Sequence, residues 1–320
     1  MKSVRIRNIR KKLTIEAFIL VAWTAAISTP AVGRAQSPDP TNIMPEPRAG
    51  DTNRPPRIQA QIETSYTAAG KTEFLGTKNG NSDAFNTSVN LSAPIPLSEK
   101  WIIPLGLRSQ NLFLNTVPGV PVPDKINTLS FNTGLEHRLN DNWMIMGMFS
   151  PTLYKFSDVG GNDVGFSGGI NVLWRYSPSL TLAAGLMVSP DSDLKVLPMV
   201  GADWRINEEW ELRLMFPQPR LIYQPNEHWS FHFGANIVGT TFRSSDTLGT
   251  SIGRPQYNDA LGTYRDIRVG GGLGYQFSKA FRLEAEAGYS VSRQIDYTRI
   301  DETVDFDPAP YVRLGMNLGF

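Results

Sequence analysis

The chain has 320 residues, a net charge of +1 and no cysteine. The near-neutral balance gives no electrostatic footprint for nucleic acid, and the missing thiols exclude disulfides, thiolate metal centres and a lipid-anchored amino-terminal Cys. Three His are too few for a His-rich metal centre, and beyond residue 30 no apolar run approaches the ~20 residues of a spanning helix.

The chain opens with Lys2, Arg5, Arg7, Arg10, Lys11 and Lys12, followed by an apolar core from Ala17 to Ile27 and small residues, Gly33 and Ala35, at the −3 and −1 positions of a cut after Ala35. Residues 1–35 therefore read as a cleaved secretory signal, because the apolar core is too short to anchor the chain in a bilayer. Such a leader predicts export in a cell with two membranes. Residues 36–57 hold Pro38, Pro40, Pro45, Pro47, Pro55 and Pro56. Proline lacks the backbone N–H and resists helix and central strand, so this stretch reads as an extended periplasmic tail.

From Ile58 to Phe320 one device recurs: a polar pair or triplet, then a bulky apolar residue that opens a new strand. It appears at Ser98–Trp101, Asn140–Trp143, Ser177–Leu180, Asn207–Trp210, Asn226–Trp229 and Ser278–Phe281. Asn, Ser and Asp side chains hydrogen-bond the backbone of tight turns. An aromatic ring just after the turn suits the membrane–water interface, which predicts Trp101, Trp143, Trp210, Trp229, Phe281 and the terminal Phe320 as interfacial residues.

Six such turns, with both ends of the chain on the periplasmic side, require fourteen strands. Alternating segments place them at 58–69, 83–93, 101–113, 126–139, 143–155, 164–177, 180–189, 196–206, 210–217, 219–224, 229–243, 264–277, 281–293 and 309–320. The segments at 210–217 and 219–224 are short and are split by Pro217 and Pro219; without them the count is twelve. Longer connections at 70–82, 114–125, 156–163, 190–195, 244–263 and 294–308 alternate with the tight turns, as extracellular loops would. The longest, 244–263, is expected to stand free on the surface, the alternative being a constriction folded into the mouth.

The closing segment shows the pattern best. Val312, Leu314, Met316, Leu318 and Phe320 alternate with Arg313, Gly315, Asn317 and Gly319, giving one apolar and one polar face. No charge falls in the apolar phase at a strand centre, where an Arg or Lys facing lipid would cost about 2–4 kcal/mol. A soluble sandwich would also alternate, but its outer face would be rich in Lys and would gain nothing from aromatics after every second turn. The predicted fold is a transmembrane, antiparallel, up-and-down β-barrel. Its expected partners are outer-membrane lipid and, through the strand ending at Phe320, the barrel-assembly machinery.

The Trp-led turns, the corner Pro217-Gln218-Pro219-Arg220-Leu221-Ile222-Tyr223 before Asn226-Glu227-His228-Trp229, and the aromatic final strand resemble the family of outer-membrane β-barrel proteins catalogued as domain of unknown function 6268. The resemblance spans roughly residues 58–320. It implies a barrel in the bacterial outer membrane and brings no substrate or catalytic residues with it.

The inward phase offers Arg108, Arg138, Arg175, Arg205, Arg213, Arg268, Arg282 and Arg313 against Glu63, Glu136, Asp203, Glu211, Asp266, Glu284 and Glu286, with His232 among them. Cations and anions nearly balance, whereas a strongly ion-selective pore would show a one-sided ring. Two readings stay open: a bore crossed by ion pairs that brace the wall, and a wetted channel with a positive and a negative side. Glu284 and Glu286 next to Arg282 read as an ion-pair cluster rather than an acid–base pair. Gly270-Gly271-Gly272-Leu273-Gly274 lacks the Lys-Ser/Thr and helix of a phosphate loop and reads as a close approach within a strand. No cofactor or metal site is expected.

The leading function on these grounds is a channel for diffusion or uptake of small polar solutes. A closed barrel acting through its external loops, structural or adhesive, is the alternative. A lipid-modifying enzyme built on His137 is a third; Ser130, seven residues away, lies in the opposite phase.

Overall fold

A computed structural model describes residues 58–156, 159–192 and 194–320. The predicted signal at 1–35 and the Pro-rich tail at 36–57 lie outside the described residues. The strands are β1 (Gln59–Phe74), β2 (Thr77–Pro96), β3 (Trp101–Leu114), β4 (Lys125–Arg138), β5 (Trp143–Leu153), β6 (Val164–Ser177), β7 (Leu180–Val188), β8 (Val196–Arg205), β9 (Trp210–Arg213), β10 (Arg220–Tyr223), β11 (Trp229–Arg243), β12 (Leu261–Ser278), β13 (Phe281–Tyr297), β14 (Glu302–Phe306) and β15 (Ala309–Gly319).

Neighbours in sequence pair antiparallel, and β15 closes the ring between β13 and β1. β14 pairs with the same two strands at the other end of the wall, so β14 and β15 share one position, broken at Asp307-Pro308. The result is a closed barrel of fourteen strand positions. β9 and β10 belong to the ring, which removes the twelve-strand alternative, but each has only four residues.

Burial is inverted relative to a soluble protein, as a wall between lipid and a bore requires. Phe85, Phe131, Phe149, Phe166, Phe233 and Leu314 are exposed, while Gln110, Asn171, Glu284, Glu286, Arg268 and Arg313 are buried. Period-two alternation puts these two sets on opposite faces of the same strands.

The recurring turns are built as their sequence suggests. In Asn207-Glu208-Glu209-Trp210 the Asn207 carbonyl Oδ1 accepts from the N–H of Glu209 (2.9 Å) and of Trp210 (2.8 Å). Asn140 and Asn226 do the same, and Ser98 Oγ accepts from Lys100 and Trp101. Removing one such acceptor leaves two turn amides to water alone. We expect Asn207→Ala to lower barrel stability by about 1 kcal/mol in a urea titration in micelles.

These turns mark one end of the barrel, called the turn end here; the other is the loop end. Aromatic rings form a belt just above the turns. Trp143 stacks on Trp174 (5.4 Å between centroids), Trp210 lies against Tyr223 (4.7 Å), Trp229 against Tyr275 (4.7 Å) and Phe281 on Phe277 (5.1 Å). His137 joins the belt, stacked at 3.9 Å on Trp101, its partner in the β3–β4 register.

The loop end departs from expectation in three ways. The segments 70–82 and 294–308 are largely strand: β1 and β2 meet in a two-residue turn, and β13 runs on to Tyr297 before β14 returns. Leu75 and Gly76 both have positive φ (51° and 78°), the backbone of a tight hairpin turn matched to strand twist. The 244–263 loop does not stand free. Its Tyr257 is fully buried in an apolar cluster with Phe74, Leu112, Val120, Phe242, Tyr264 and Tyr297. The 115–124 connection folds into the same cluster through Val117, Val120 and Val122.

The Pro217–Pro219 corner reaches only part-way up the wall. Leu214 N–H donates to Ala202 (2.7 Å), Gln218 N–H to Met215 (2.9 Å), Ala235 N–H to Pro219 (3.0 Å) and Ile237 N–H to Pro217 (3.2 Å). Beyond these bonds β11 turns inward instead of following the wall. Thr240 Oγ1 lies 3.3 Å from Thr128 Oγ1 of β4, across the bore, and Arg243 N–H donates to Tyr154 O (3.4 Å).

Candidate functional site: the bore

The polar faces of β1, β10, β11, β13 and β15 meet around one guanidinium. Arg313 contacts Glu63 (2.5 Å), Glu286 (2.8 Å) and Glu284 (3.3 Å). Glu286 also receives Arg220 at 3.4 Å, His232 Nε2 at 2.9 Å and the Tyr311 hydroxyl at 2.5 Å. Arg282 lies 3.1 Å from Glu284 and donates to Ser230 Oγ at 2.7 Å. Ion pairs of this kind offset the cost of placing charge out of bulk water only when several partners converge.

Glycine makes room for this cluster. A Cβ on Gly270 would sit 2.5 Å from the Tyr311 hydroxyl, and one on Gly272 would sit 2.6 Å from the His232 ring. The Gly-rich run of β12 is thus a floor onto which neighbouring polar side chains fold, the close approach its sequence suggested.

Two further clusters brace the wall. Arg268 bonds Asp266 (2.8 Å), Ser65 (3.0 Å) and Thr67 (3.2 Å), and Ser290 donates to Asp266 (2.6 Å). Arg213 lies 2.5 Å from Glu211 and 3.5 Å from Asp203. The other predicted bore residues lie outside these clusters. Glu136 is buried on the inward face of β4. Arg138, Arg175 and Arg205 sit at the turn end, where their backbone N–H groups bond Lys100, Asn142 and Ser179. Arg108 is exposed, in register with Asn90, and Asn90 lines a polar recess at the turn end with Gln59, Gln61, Ser92, Arg282 and Asn317.

Sequence alone misses two members. Arg220 lies beside the Pro corner, where alternation cannot be phased. Arg293 is buried, donates to Ser82 O (2.7 Å) and lies over the Phe306 ring at 4.7 Å. A simple count from Glu286 sends Arg293 to the lipid. Its side is reversed by a register shift, since Arg268 pairs with Ser290 while Ile267 pairs with Ser292.

The bore is therefore polar, with a small recess at the turn end, buried charge packed around Arg313 and Arg268, and apolar packing that closes the loop end. In the closure Tyr257 packs edge-on against Phe74 (6.2 Å) and Tyr297 (4.9 Å), its hydroxyl donates to Glu302, and Tyr297 donates to Pro121 O (2.9 Å). Arg243 holds Asp163 at 3.1 Å, and Lys155 holds Asp246 at 2.5 Å. That last hydrogen bond keeps the Lys155 ammonium above its ordinary range, and burial, with Asp191 adjacent, pushes the Tyr154 hydroxyl up.

The geometry gives no nucleophile–base pair at His137. Ser130 Oγ faces the bore, 2.9 Å from Thr152 Oγ1, while His137 faces the aromatic belt on the other side of β4.

Solved structures of similar outline include a mutant of the TodX monoaromatic hydrocarbon channel, an outer membrane channel from Pseudomonas putida F1 and a KdgM porin in complex with disordered oligogalacturonate. Their TM-scores are 0.46, 0.45 and 0.31, with 11%, 10% and 11% identity. The matches cover 83%, 85% and 82% of this chain and 90%, 99% and 99% of the respective structures. Likeness this distant speaks to neither cargo nor mechanism. No curated protein matches the sequence. Residues 56–319 match the family described as domain of unknown function DUF6268, and with nearly the whole barrel covered, the chain belongs to that family.

Proposed function

We propose that this protein is an outer-membrane channel for small polar solutes, resting closed at the extracellular end, with the loop end outward. The observation that carries the reading is the small recess of about 50 Å³ at the turn end, lined by Gln59, Gln61, Asn90 and Ser92 together with Phe281 and Leu318, which adjoins the Arg313 network through Arg282. The charges of that network are balanced, Arg220, Arg282 and Arg313 against Glu63, Glu284 and Glu286, so solutes would pass with weak ion preference. Opening requires the Tyr257 closure to move. The aromatic belt, together with the export signal expected from the sequence at 1–35, supports the outer membrane as its site.

A second reading has its own support: the apolar packing at the loop end suits a permanently closed barrel that acts through its external surface. Planar-bilayer recording separates the two. We expect rare discrete steps from the refolded protein, with potassium and chloride permeabilities within about threefold of each other. Silence both here and after disruption of the closure would leave the closed barrel standing.

A further inference from the structure

We propose a second site, on the inner face of β5–β8, that takes the alkyl chain of a lipid from the leaflet at the loop end, through a break in the wall between β8 and β11. The inference goes beyond the channel reading and does not depend on conductance.

The break follows from strand length. β9 pairs with β8 only from Asp203 to Arg205, and β10 pairs with β11 only from Phe231 to Gly234. The corner adds single bonds as far as Ala202 and Ile237. Among the described residues, no strand pairs with the β9-facing edge of Val196–Gly201 or with the β10-facing edge of Val238–Arg243. β11 has moved across the bore to β4, so it does not seal the gap either.

What lies behind the break differs from the rest of the bore. Register aligns Met148, Gly169, Met187 and Leu197 in one row across four strands, and Met146, Asn171, Gly185 and Met199 in the next. At the break itself, Met215 fills the space a Cβ on Gly201 would take. Most charges of the bore gather on β1 and β10–β15, and the Asp203–Glu211–Arg213 cluster of β8–β9 sits nearer the turn end than the break. Met146 is fully buried, but Met148, Met187, Leu197 and Met199 are half-exposed on an inward face. Methionine is flexible and polarisable and adapts to irregular apolar ligands.

The occupant follows from what adjoins the opening. Its outer rim carries exposed Leu186, Val188, Val196 and Val200, continuous with the lipid-facing surface. An open strand edge in the hydrocarbon layer is tolerated only where it lines a cavity. An inner face lined by thioethers and reached sideways from the bilayer suits a flexible hydrocarbon chain better than a hydrated solute.

The native chain lacks cysteine, so single labels are clean. Met199→Cys carries a fluorophore on the inner face, Val200→Cys on the lipid face and Asn90→Cys in the turn-end recess. Met187→Cys serves as a second inner-face position should M199C fail to refold. Each is placed in vesicles holding lipid with a nitroxide along its acyl chain. We expect quenching of M199C and M187C within about twofold of V200C, while N90C responds to aqueous iodide and not to the lipid nitroxide. Inner-face labels that behave like N90C, reached by iodide alone or by neither quencher, would overturn the proposal.

Discussion

Replacing Arg313 with methionine should cost the barrel about 3–5 kcal/mol, the range for removing one member of a buried ion cluster. Three carboxylates, Glu63, Glu284 and Glu286, face this guanidinium within 3.3 Å. Methionine keeps most of the volume and removes the charge, which leaves like charges facing one another out of bulk water. The arrangement ties β15 to both β1 and β13, so the loss falls on the seam that closes the ring. Urea titration in micelles, followed by tryptophan fluorescence, reads the cost. The double variant E286Q/R313M should recover about 1–2 kcal/mol of it, because the remaining carboxylates then repel less. A loss below about 1 kcal/mol for R313M would mean that water screens the cluster as at an exposed surface, and the bracing role would be wrong.

If the barrel conducts as proposed, Tyr257→Ala should raise its open probability by at least about a hundredfold. Truncating a fully buried aromatic costs about 3–5 kcal/mol of packing. Those contacts join the 244–260 segment to β1 and β13, so an open state with that segment displaced has already given them up. The closed state alone loses them, and each 1.4 kcal/mol shifts the balance about tenfold. Single-channel recording under the wild-type conditions measures it. Deleting residues 247–258 should act in the same direction. Unchanged activity in both variants would place the barrier elsewhere in the apolar cluster.

How much of this was legible beforehand follows from where alternation is uninterrupted. β6 and β11 agree with the sequence segments 164–177 and 229–243 residue for residue, and a tight turn with a side-chain acceptor fixes one end of each, Ser177 at the end of β6 and Asn226 before β11. The position of Arg313 could be read because β15 alternates without a break. Arg293 could not, since one extra residue near Val291 reverses the side on which everything after it lies. The methionine row was hidden for a different reason. Trp143-Met144-Ile145-Met146-Gly147-Met148 is apolar in both phases, so period two carries no sign of which face looks inward. Inward folding of the loops was invisible as well: Val117, Val120, Val122 and Tyr257 follow no period, and only the long-range hairpins they meet show that the mouth is filled.

The seam has one more consequence. β1 finds its partner β15 only at the far end of the chain, in a ladder running from Gln59–Gly319 to Thr67–Tyr311. Until those final residues are available, every partly assembled form carries two unsatisfied strand edges, one of them belonging to the first strand. Contacts so remote in sequence form slowly, and bare edges in the meantime invite pairing with other chains. Biogenesis of this protein is therefore a race between sealing and aggregation, decided by how promptly its last strand is delivered to its first.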